Sequence, residues 1–201
     1  MVRSVPMSFP DPSKREINVK IVYYGPPGAS LAENLRYIHG SSGPAVSELS
    51  AHTAGSEQFL FFSFVPEALG EIRGFKIRLH LFTAVGQSLS PAAHRTLFKG
   101  VDGVVFVADG TPTGKTATQQ AWQRMQQHLQ ELGYDPDQVP LVVQLDRRDQ
   151  PAALPAAELK QLLGLGSQPI VEANAPRGDG VFDSLKSIAR LILLEIKKMS
   201  A

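Results

Sequence analysis

Positions 25–32 read GPPGASLA and hold the first set of residues that could bind a phosphate. A functional phosphate loop follows G-x-x-x-x-G-K-[ST]: its glycines expose backbone N–H groups, its Lys reaches the β and γ phosphates, and its Ser or Thr ligates Mg²⁺. Gly25 matches the first glycine. Ser30, Leu31 and Ala32 occupy the second Gly, the Lys and the metal-ligand positions. The stretch therefore predicts a phosphate loop that has lost its positive charge and its metal ligand.

Ser30 and Glu33 form the pattern S-x-x-E of a helix capping box. In a working phosphate loop, the N–H groups at this helix start bind phosphate oxygens. We expect the Ser30 hydroxyl and the Glu33 carboxylate to take over those N–H groups, so that the domain folds without a ligand. The alternative is that Glu33 is simply an exposed acid in the first helical turn.

A second phosphate-loop-like string, Gly114-Lys115-Thr116, follows an apolar run and precedes a helical pattern. The leading glycine should stand five residues before Gly114, where this chain has Asp109. We therefore interpret the string as a chance match, with a displaced phosphate site as the minor alternative.

Apolar and β-branched runs alternate with helix-periodic segments after residue 16, which predicts an α/β fold with helices on both faces of the sheet. We expect six strands, forming a mostly parallel sheet with one antiparallel hairpin between the second and third, at 17–24, 58–65, 75–83, 101–108, 139–145 and 169–172. The expected helices lie near 31–39, 116–133, 155–163 and 180–198. Residues 1–15 are predicted to be a flexible lead-in, 40–56 a mobile loop, and 16–201 a single domain.

The composition narrows the function classes. The chain has 201 residues with 20 basic and 19 acidic side chains, a net charge of +1. It therefore has no large excess of positive charge that would attract nucleic acid. It has no cysteine, which excludes disulfides and cysteine-based zinc sites. Val2 and the missing C-terminal cysteine argue against lipid anchoring, and no apolar run is long enough to span a bilayer. We expect a cytoplasmic protein without a direct membrane anchor.

Five motifs carry a resemblance to a known family: INVKIVYYGP, RLHLFTAVGQ, KGVDGVVFVADG, VPLVVQLDRRD and GVFDSLK. The motifs occur in the order found in Ras-superfamily small GTPases. Their amino-acid sequences resemble those of the bacterial MglA family, the small GTPases of gliding motility and cell polarity. The similarity covers nearly the whole chain from Ile17 to Lys198. It implies a Ras-like P-loop GTPase fold.

The resemblance also implies where nucleotide-binding groups would lie. Gln87 corresponds to the residue that orients the attacking water, and Asp149 could accept two hydrogen bonds from guanine. Ala54 falls where the Mg²⁺-ligating Thr belongs, although Thr53 leaves a shifted register open. DRRD at 146–149 replaces Asn-Lys-x-Asp, so the amide of the Asn is lost. The vestigial positions are Gly25, Ser30, Leu31, Ala32, Gly86, Asp146, Arg147, Asp149 and Ala173.

These departures predict a pseudo-GTPase: a protein-interaction module without a metal, a cofactor or catalytic residues, in which Gln87 is only a vestige. The resemblance implies a roadblock-type MglB-like regulator or an MglA-like GTPase as partner. Phe59, Phe61 and Gln87 are the candidate contact residues, with sheet core as the alternative for the phenylalanines. The second hypothesis is weak, magnesium-independent binding of GTP or GDP. The third is a cleft adapted to another small molecule.

Overall fold

A computed structural model describes residues 9–43, 46–147, 149–150 and 152–199. The strands are β1 (Phe9–Asp11), β2 (Glu16–Tyr24), β3 (Ser50–Ala54), β4 (Glu57–Phe64), β5 (Glu71–Ile72), β6 (Phe75–Val85), β7 (Gly103–Asp109), β8 (Leu141–Asp146) and β9 (Ile170–Glu172). The helices are α1 (Leu31–Ser41), α2 (Pro91–Phe98), α3 (Lys115–Glu131), α4 (Ala156–Leu163) and α5 (Val181–Met199).

The sheet follows the order β3-β4-β6-β2-β7-β8-β9. Strands β6, β2, β7, β8 and β9 run parallel, while β4 is antiparallel to β6 and β3 to β4. All six predicted strands are present, and the predicted antiparallel pair is β4 with β6. The α/β class and the mostly parallel sheet are therefore confirmed, although six is too few strands.

The lead-in is one place where the prediction was wrong. Phe9–Asp11 forms β1, which pairs antiparallel with the first part of β2 through Phe9 and Asn18. β7 pairs with β2 only from Ile21 onward, so β1 occupies the stretch of β2 edge that β7 leaves free. Residues 1–8 lie outside the described part of the chain.

The expected mobile loop at 40–56 also contains a strand. β3 (Ser50–Ala54) pairs with β4 through a two-residue turn at Gly55 and Ser56, where Gly55 has a φ of +64°. The strand has the sequence SAHTA, which lacks apolar alternation, so periodicity did not detect it. Helix α2 was missed as well, although Ser90-Pro91 is a helix-start signal: the Ser90 hydroxyl accepts the Ala93 N–H at 3.2 Å.

Two apolar clusters cover the two faces of the sheet. Helices α1 and α5 pack on one face, against Phe62 and Phe64, which are 2% and 5% exposed. Helices α2, α3 and α4 pack on the other, where Phe59 is only partly buried. The strand β4 therefore divides its phenylalanines between core and surface. In the described ranges, no helix combines the length and the hydropathy needed to cross a bilayer.

Lys20 lies on the face of the sheet that α2, α3 and α4 cover. Its Nζ donates to the carbonyls of Thr96 at 3.3 Å and Lys99 at 2.8 Å, at the C-terminal end of α2, and lies 4.7 Å from the Phe82 ring centre. Burial lowers the pKa of Lys20 to about 8, and the opposing effect of the Asp102 carboxylate is smaller. Burial of the ammonium therefore costs stability whenever Lys20 is charged.

This position predicts an unusual pH dependence. Because the folded pKa of about 8 lies below the ordinary 10.5, the unfolded chain binds more protons between these values, and stability rises with pH there. Burial raises the pKa of Tyr24 from 10.0 to about 12, which opposes the trend above pH 10. We expect the free energy of unfolding in urea to increase from pH 8 to about pH 9.5 relative to Lys20→Met. Exposed Lys14→Met should keep the wild-type slope, and parallel profiles for the wild type and Lys20→Met would contradict this assignment.

Candidate functional site

A cleft of about 530 Å³ opens beside the carboxyl ends of β2, β6 and β8. Parallel α/β sheets bind their ligands at this edge. The cleft brings together most of the residues singled out in the sequence: Gly25, Ser30, Leu31, Ala32, Glu33, Gly86, Gln87, Arg147 and Asp149. Asp146 and Ala173 do not line it; they are 0% and 2% exposed behind its wall.

Two N–H groups of the loop after β2 bond to carbonyls of the same loop. The Leu31 N–H donates to the Ala29 carbonyl at 2.7 Å, and the Ala29 N–H donates to the Pro26 carbonyl at 3.1 Å. Ser30, between them, has a φ of −75° and a ψ of 52°, close to an inverse γ-turn. Pro26 and Pro27 have no N–H to offer. Two backbone donors of this loop, the N–H groups of Ala29 and Leu31, are therefore already bonded within the protein, and the two prolines provide none.

The predicted capping box is wrong in its details. The Ser30 hydroxyl makes no hydrogen bond to the start of α1, and Glu33 is exposed. The γ-turn is the physical reason, because an N-cap hydroxyl reaches the helix N–H groups from an extended backbone. Ser30 is held by its carbonyl instead, which accepts the Asn34 N–H at 3.1 Å and Asn34 Nδ2 at 2.7 Å. The loop is thus stabilised without a ligand, but not by the carboxylate.

The backbone donors at the other end of the cleft are also bonded. The Asp146 Oδ1 accepts the Ala175 N–H at 2.9 Å, and the Ala173 N–H donates to the Leu145 carbonyl at 2.8 Å. A ring carbonyl of a ligand could therefore not accept from either N–H without displacing a bond. Asp149 remains exposed in the cleft wall.

Arg147 connects the two ends of the cleft. Its Nη2 donates to the Gly28 carbonyl at 2.7 Å, and its Nε lies 3.9 Å from Asp109 Oδ1. The backbone of Arg147 has a φ of +59°, a conformation uncommon for residues other than glycine. The loop after β8 is thus tied to the loop after β2 by the protein itself.

A second contact joins two residues next to the cleft lining, Glu57 beside Gln58 and Ser90 beside Leu89. The backbone N–H of Ser90 donates to Glu57 Oε1, and its hydroxyl donates to Glu57 Oε2 at 3.2 Å. Glu57 begins β4, and Ser90 precedes α2. The two segments after β3 and β6 are therefore held together by two hydrogen bonds to the Glu57 carboxylate.

His94 extends this network to the floor of the cleft. Its Nδ1 donates to the Ser90 carbonyl at 3.0 Å, and its Nε2 accepts the Tyr24 hydroxyl at 3.0 Å, which places the proton on Nδ1 because a carbonyl can only accept. Burial lowers the pKa of His94, and the ring stacks on His128 with centroids 4.1 Å apart. Both ring nitrogens of His94 are therefore engaged by groups of the protein itself.

The Gly114-Lys115-Thr116 string opens α3 and is engaged locally. The Gly114 N–H donates to the Thr111 hydroxyl at 3.2 Å, and Lys115 pairs with Glu158. No group of three or more histidine, aspartate or glutamate side chains in the described residues could hold a metal ion. These contacts agree with the chance-match interpretation of the string.

Comparison with known proteins identifies the family. No protein-family model matches the chain. It is 43% identical over 193 residues to the mutual gliding-motility protein MglA of Myxococcus xanthus (strain DK1622), covering 96% of this chain and 99% of that protein. The chain belongs to the MglA family of small GTPases. The family predicted from the five motifs is confirmed, and an MglA-like fold accounts for the cleft at the carboxyl edge of a mixed sheet.

Several contacts of this MglA-like cleft were not found from the sequence. They are the bonds from Ser90 to Glu57, from Tyr24 to His94 and from Arg147 to the Gly28 carbonyl. The start of α2 could have been predicted from the sequence, because Ser90-Pro91 is a helix-start signal. The partners are 33 to 119 residues apart, so no local spacing could show them.

Proposed function

We propose that this MglA-like protein is a pseudo-GTPase, a cytoplasmic interaction module in gliding motility or cell polarity whose binding of GTP is lost or strongly weakened. The observation that carries the proposal is the inverse γ-turn at Ser30, where the Leu31 N–H is bonded to the Ala29 carbonyl at 2.7 Å. The same segment has neither the Lys nor the hydroxyl of a phosphate loop.

The lost contacts are large enough to matter. A hydrogen bond to a charged group contributes roughly 1.5–3 kcal/mol. Loss of the lysine contact, the metal ligand and one base contact removes roughly 5–8 kcal/mol, a weakening of about 10³- to 10⁶-fold. Rearranging the γ-turn and freeing the Ala175 N–H from Asp146 would weaken binding further.

Hydrogen bonds within the protein connect the loops that a GTPase orders with its bound nucleotide. Glu57 holds Ser90 next to the cleft-lining residues Gln58 and Leu89, and Arg147 holds the Gly28 carbonyl in the cleft wall. Both ties are made by protein groups alone, so the loops keep one arrangement without a nucleotide. A module of this kind presents the same surface to its partner at all times.

The partner we propose is a roadblock-type MglB-like regulator or an MglA-like GTPase. Phe59 and Phe61 are half-buried on the sheet face opposite α1 and α5, and Gln87 is exposed at the rim of the cleft. These three side chains are available for contact, whereas Phe62 and Phe64 belong to the core.

Weak, magnesium-independent nucleotide binding is the second candidate. One observation favours it: four arginines line the cleft, Arg36, Arg124, Arg147 and Arg177, against two acidic residues, Glu33 and Asp149. An excess of arginine can attract a polyphosphate without a metal.

Calorimetric titration of the full chain with GTP, GDP and ATP, each with Mg²⁺ and with EDTA, separates these functions. We expect no binding tighter than about 100 µM under any condition, because the loop lacks the lysine and the metal ligand and the Ala29 and Leu31 N–H groups are already bonded. Magnesium-dependent binding in the micromolar range would contradict the pseudo-GTPase. Binding that is equal with Mg²⁺ and EDTA would support the second candidate. A purified roadblock-type regulator should bind equally with and without nucleotide.

A further inference from the structure

The strand β3 forms an unprotected edge of the sheet. Within the described residues, Ser50–Ala54 pairs on one side only, with β4, in a one-to-one register without a bulge. Four of its five residues are exposed, and it contains no Lys, Arg, Asp, Glu or Pro. Natural sheets usually protect such an edge with charge, proline or a bulge, because its free N–H and C=O groups can pair with another strand.

The turn that follows β3 fixes which backbone groups face outward. Ala54 and Glu57 close a two-residue hairpin, with Gly55 at the first turn position and a φ of +64°, as a type II′ turn requires. The closing pair of such a hairpin exchanges both hydrogen bonds, and bonding then alternates along the ladder. The N–H and C=O groups of Ala51 and Thr53 therefore point away from β4, toward the open edge.

The side chains beside this edge leave room on one face. Ser50 lies opposite Phe61 and His52 opposite Phe59, so these four residues share a face. Ser50 is small, and Phe61 stacks on Phe82 with ring centroids 5.3 Å apart and is half-buried. A large apolar side chain placed opposite Ser50 on an added strand could cross this small residue and reach Phe61, and one placed opposite His52 could pack on the imidazole beside Phe59.

The dimensions favour a partner segment over a second copy of this chain. Five paired residues extend about 17 Å. Pairing two β3 edges would bring no large apolar side chain over the phenylalanines, so it would gain little beyond the backbone hydrogen bonds. An extended segment with large residues at alternate positions gains both the backbone bonds and the contact with Phe59 and Phe61. The strand is uncharged, so it matches an uncharged segment.

We propose that β3 binds an extended, uncharged segment of a partner protein, which adds to the sheet as a further antiparallel strand. It bonds to the main chain of Ala51 and Thr53 and places apolar side chains over Phe59 and Phe61. Antiparallel pairing continues the pattern of β6, β4 and β3. The inference rests on the proposed interaction module and specifies the chemistry of its partner.

The test uses the full chain and a fluorescein-labelled seven-residue peptide that alternates Thr and Phe, followed by fluorescence anisotropy. In the antiparallel arrangement the Phe residues lie over Phe59 and Phe61, and the Thr residues bond to Ala51 and Thr53. N-methylation of the peptide's Thr residues should weaken binding by at least about tenfold, since two or more hydrogen bonds are lost. N-methylation of its Phe residues should leave binding nearly unchanged. Absence of binding by the unmodified peptide, or equal effects of the two methylations, would overturn the proposal.

Protein variants provide the second measurement. Ala51→Pro removes one outward N–H and keeps the β3–β4 ladder, so we expect about tenfold weaker binding of the peptide. Gln119→Lys, on the exposed side of α3 and away from β3, should bind normally. Unchanged binding by Ala51→Pro would overturn the proposal. If that variant unfolds, the comparison of the N-methylated peptides tests the proposal by itself. Tight GTP binding would contradict the pseudo-GTPase without altering the result of this test.

Discussion

The triple variant Ser30→Gly, Leu31→Lys, Ala32→Thr is expected to bind GTP with Mg²⁺ about 10²- to 10⁴-fold more tightly than the unmodified chain. The lysine adds a charged contact to the β and γ phosphates, and the threonine adds a ligand for the metal. Two contacts of roughly 1.5–3 kcal/mol each give this range. The glycine allows the segment to leave the γ-turn, because it accepts backbone conformations that serine avoids.

Calorimetry and thermal shift with GTP and Mg²⁺ check the gain, and EDTA should abolish it. The matched control is Ser30→Gly, Leu31→Met, Ala32→Val, which has similar side-chain sizes without the charge or the hydroxyl and should not gain affinity. If the unmodified chain binds GTP as tightly as the triple variant, the loss of binding that we propose does not exist. If the folded triple variant does not bind GTP more tightly, other contacts prevent binding, such as the hydrogen bond from the Ala175 N–H to Asp146.

The main sheet was predictable because its strands are buried on both sides. Val104, Val105, Phe106 and Val107 are fully buried in β7, and such continuous apolar runs are typical of parallel strands between two helix layers. The strands β1 and β3 could not be found in this way. Each pairs with an edge that the main strands leave open, and their sequences, FPD and SAHTA, carry no alternation.

The nucleotide-binding groups that the cleft lacks were predictable from the sequence, but the contacts that take their place were not. The missing Lys, hydroxyl and Asn are read directly from positions 31, 32 and 146. What replaced their contacts depends on backbone conformation at Ser30 and on pairs far apart in the chain, such as Arg147 with Gly28. The capping box failed for this reason: Ser30 adopts a γ-turn in place of the extended backbone of an N-cap, and its hydroxyl makes no hydrogen bond to the helix start.

Gly25→Ala is expected to destabilise the fold by about 3 kcal/mol or more, the largest effect of a single methyl group that we predict. A Cβ at Gly25 would lie 2.3 Å from the carbonyl oxygen of Val107 and 3.2 Å from Ala29 Cβ. Val107 lies within β7, between β2 and β8, so its carbonyl cannot move without disturbing the sheet. For a chain of this size the loss corresponds to a melting temperature lower by roughly 6–12 °C.

Gly28→Ala is the matched control, because it adds the same methyl group to the same loop. Gly28 has a φ of +82° and no atom within 4 Å of a Cβ, so its cost is conformational only, about 1–2 kcal/mol. Thermal unfolding by circular dichroism compares the two variants. If Gly25 persisted only for phosphate binding, its replacement would cost no more than that of Gly28. A much larger loss for Gly25→Ala would show that the fold itself requires this glycine, which explains why the first residue of the phosphate loop remains when the others are lost.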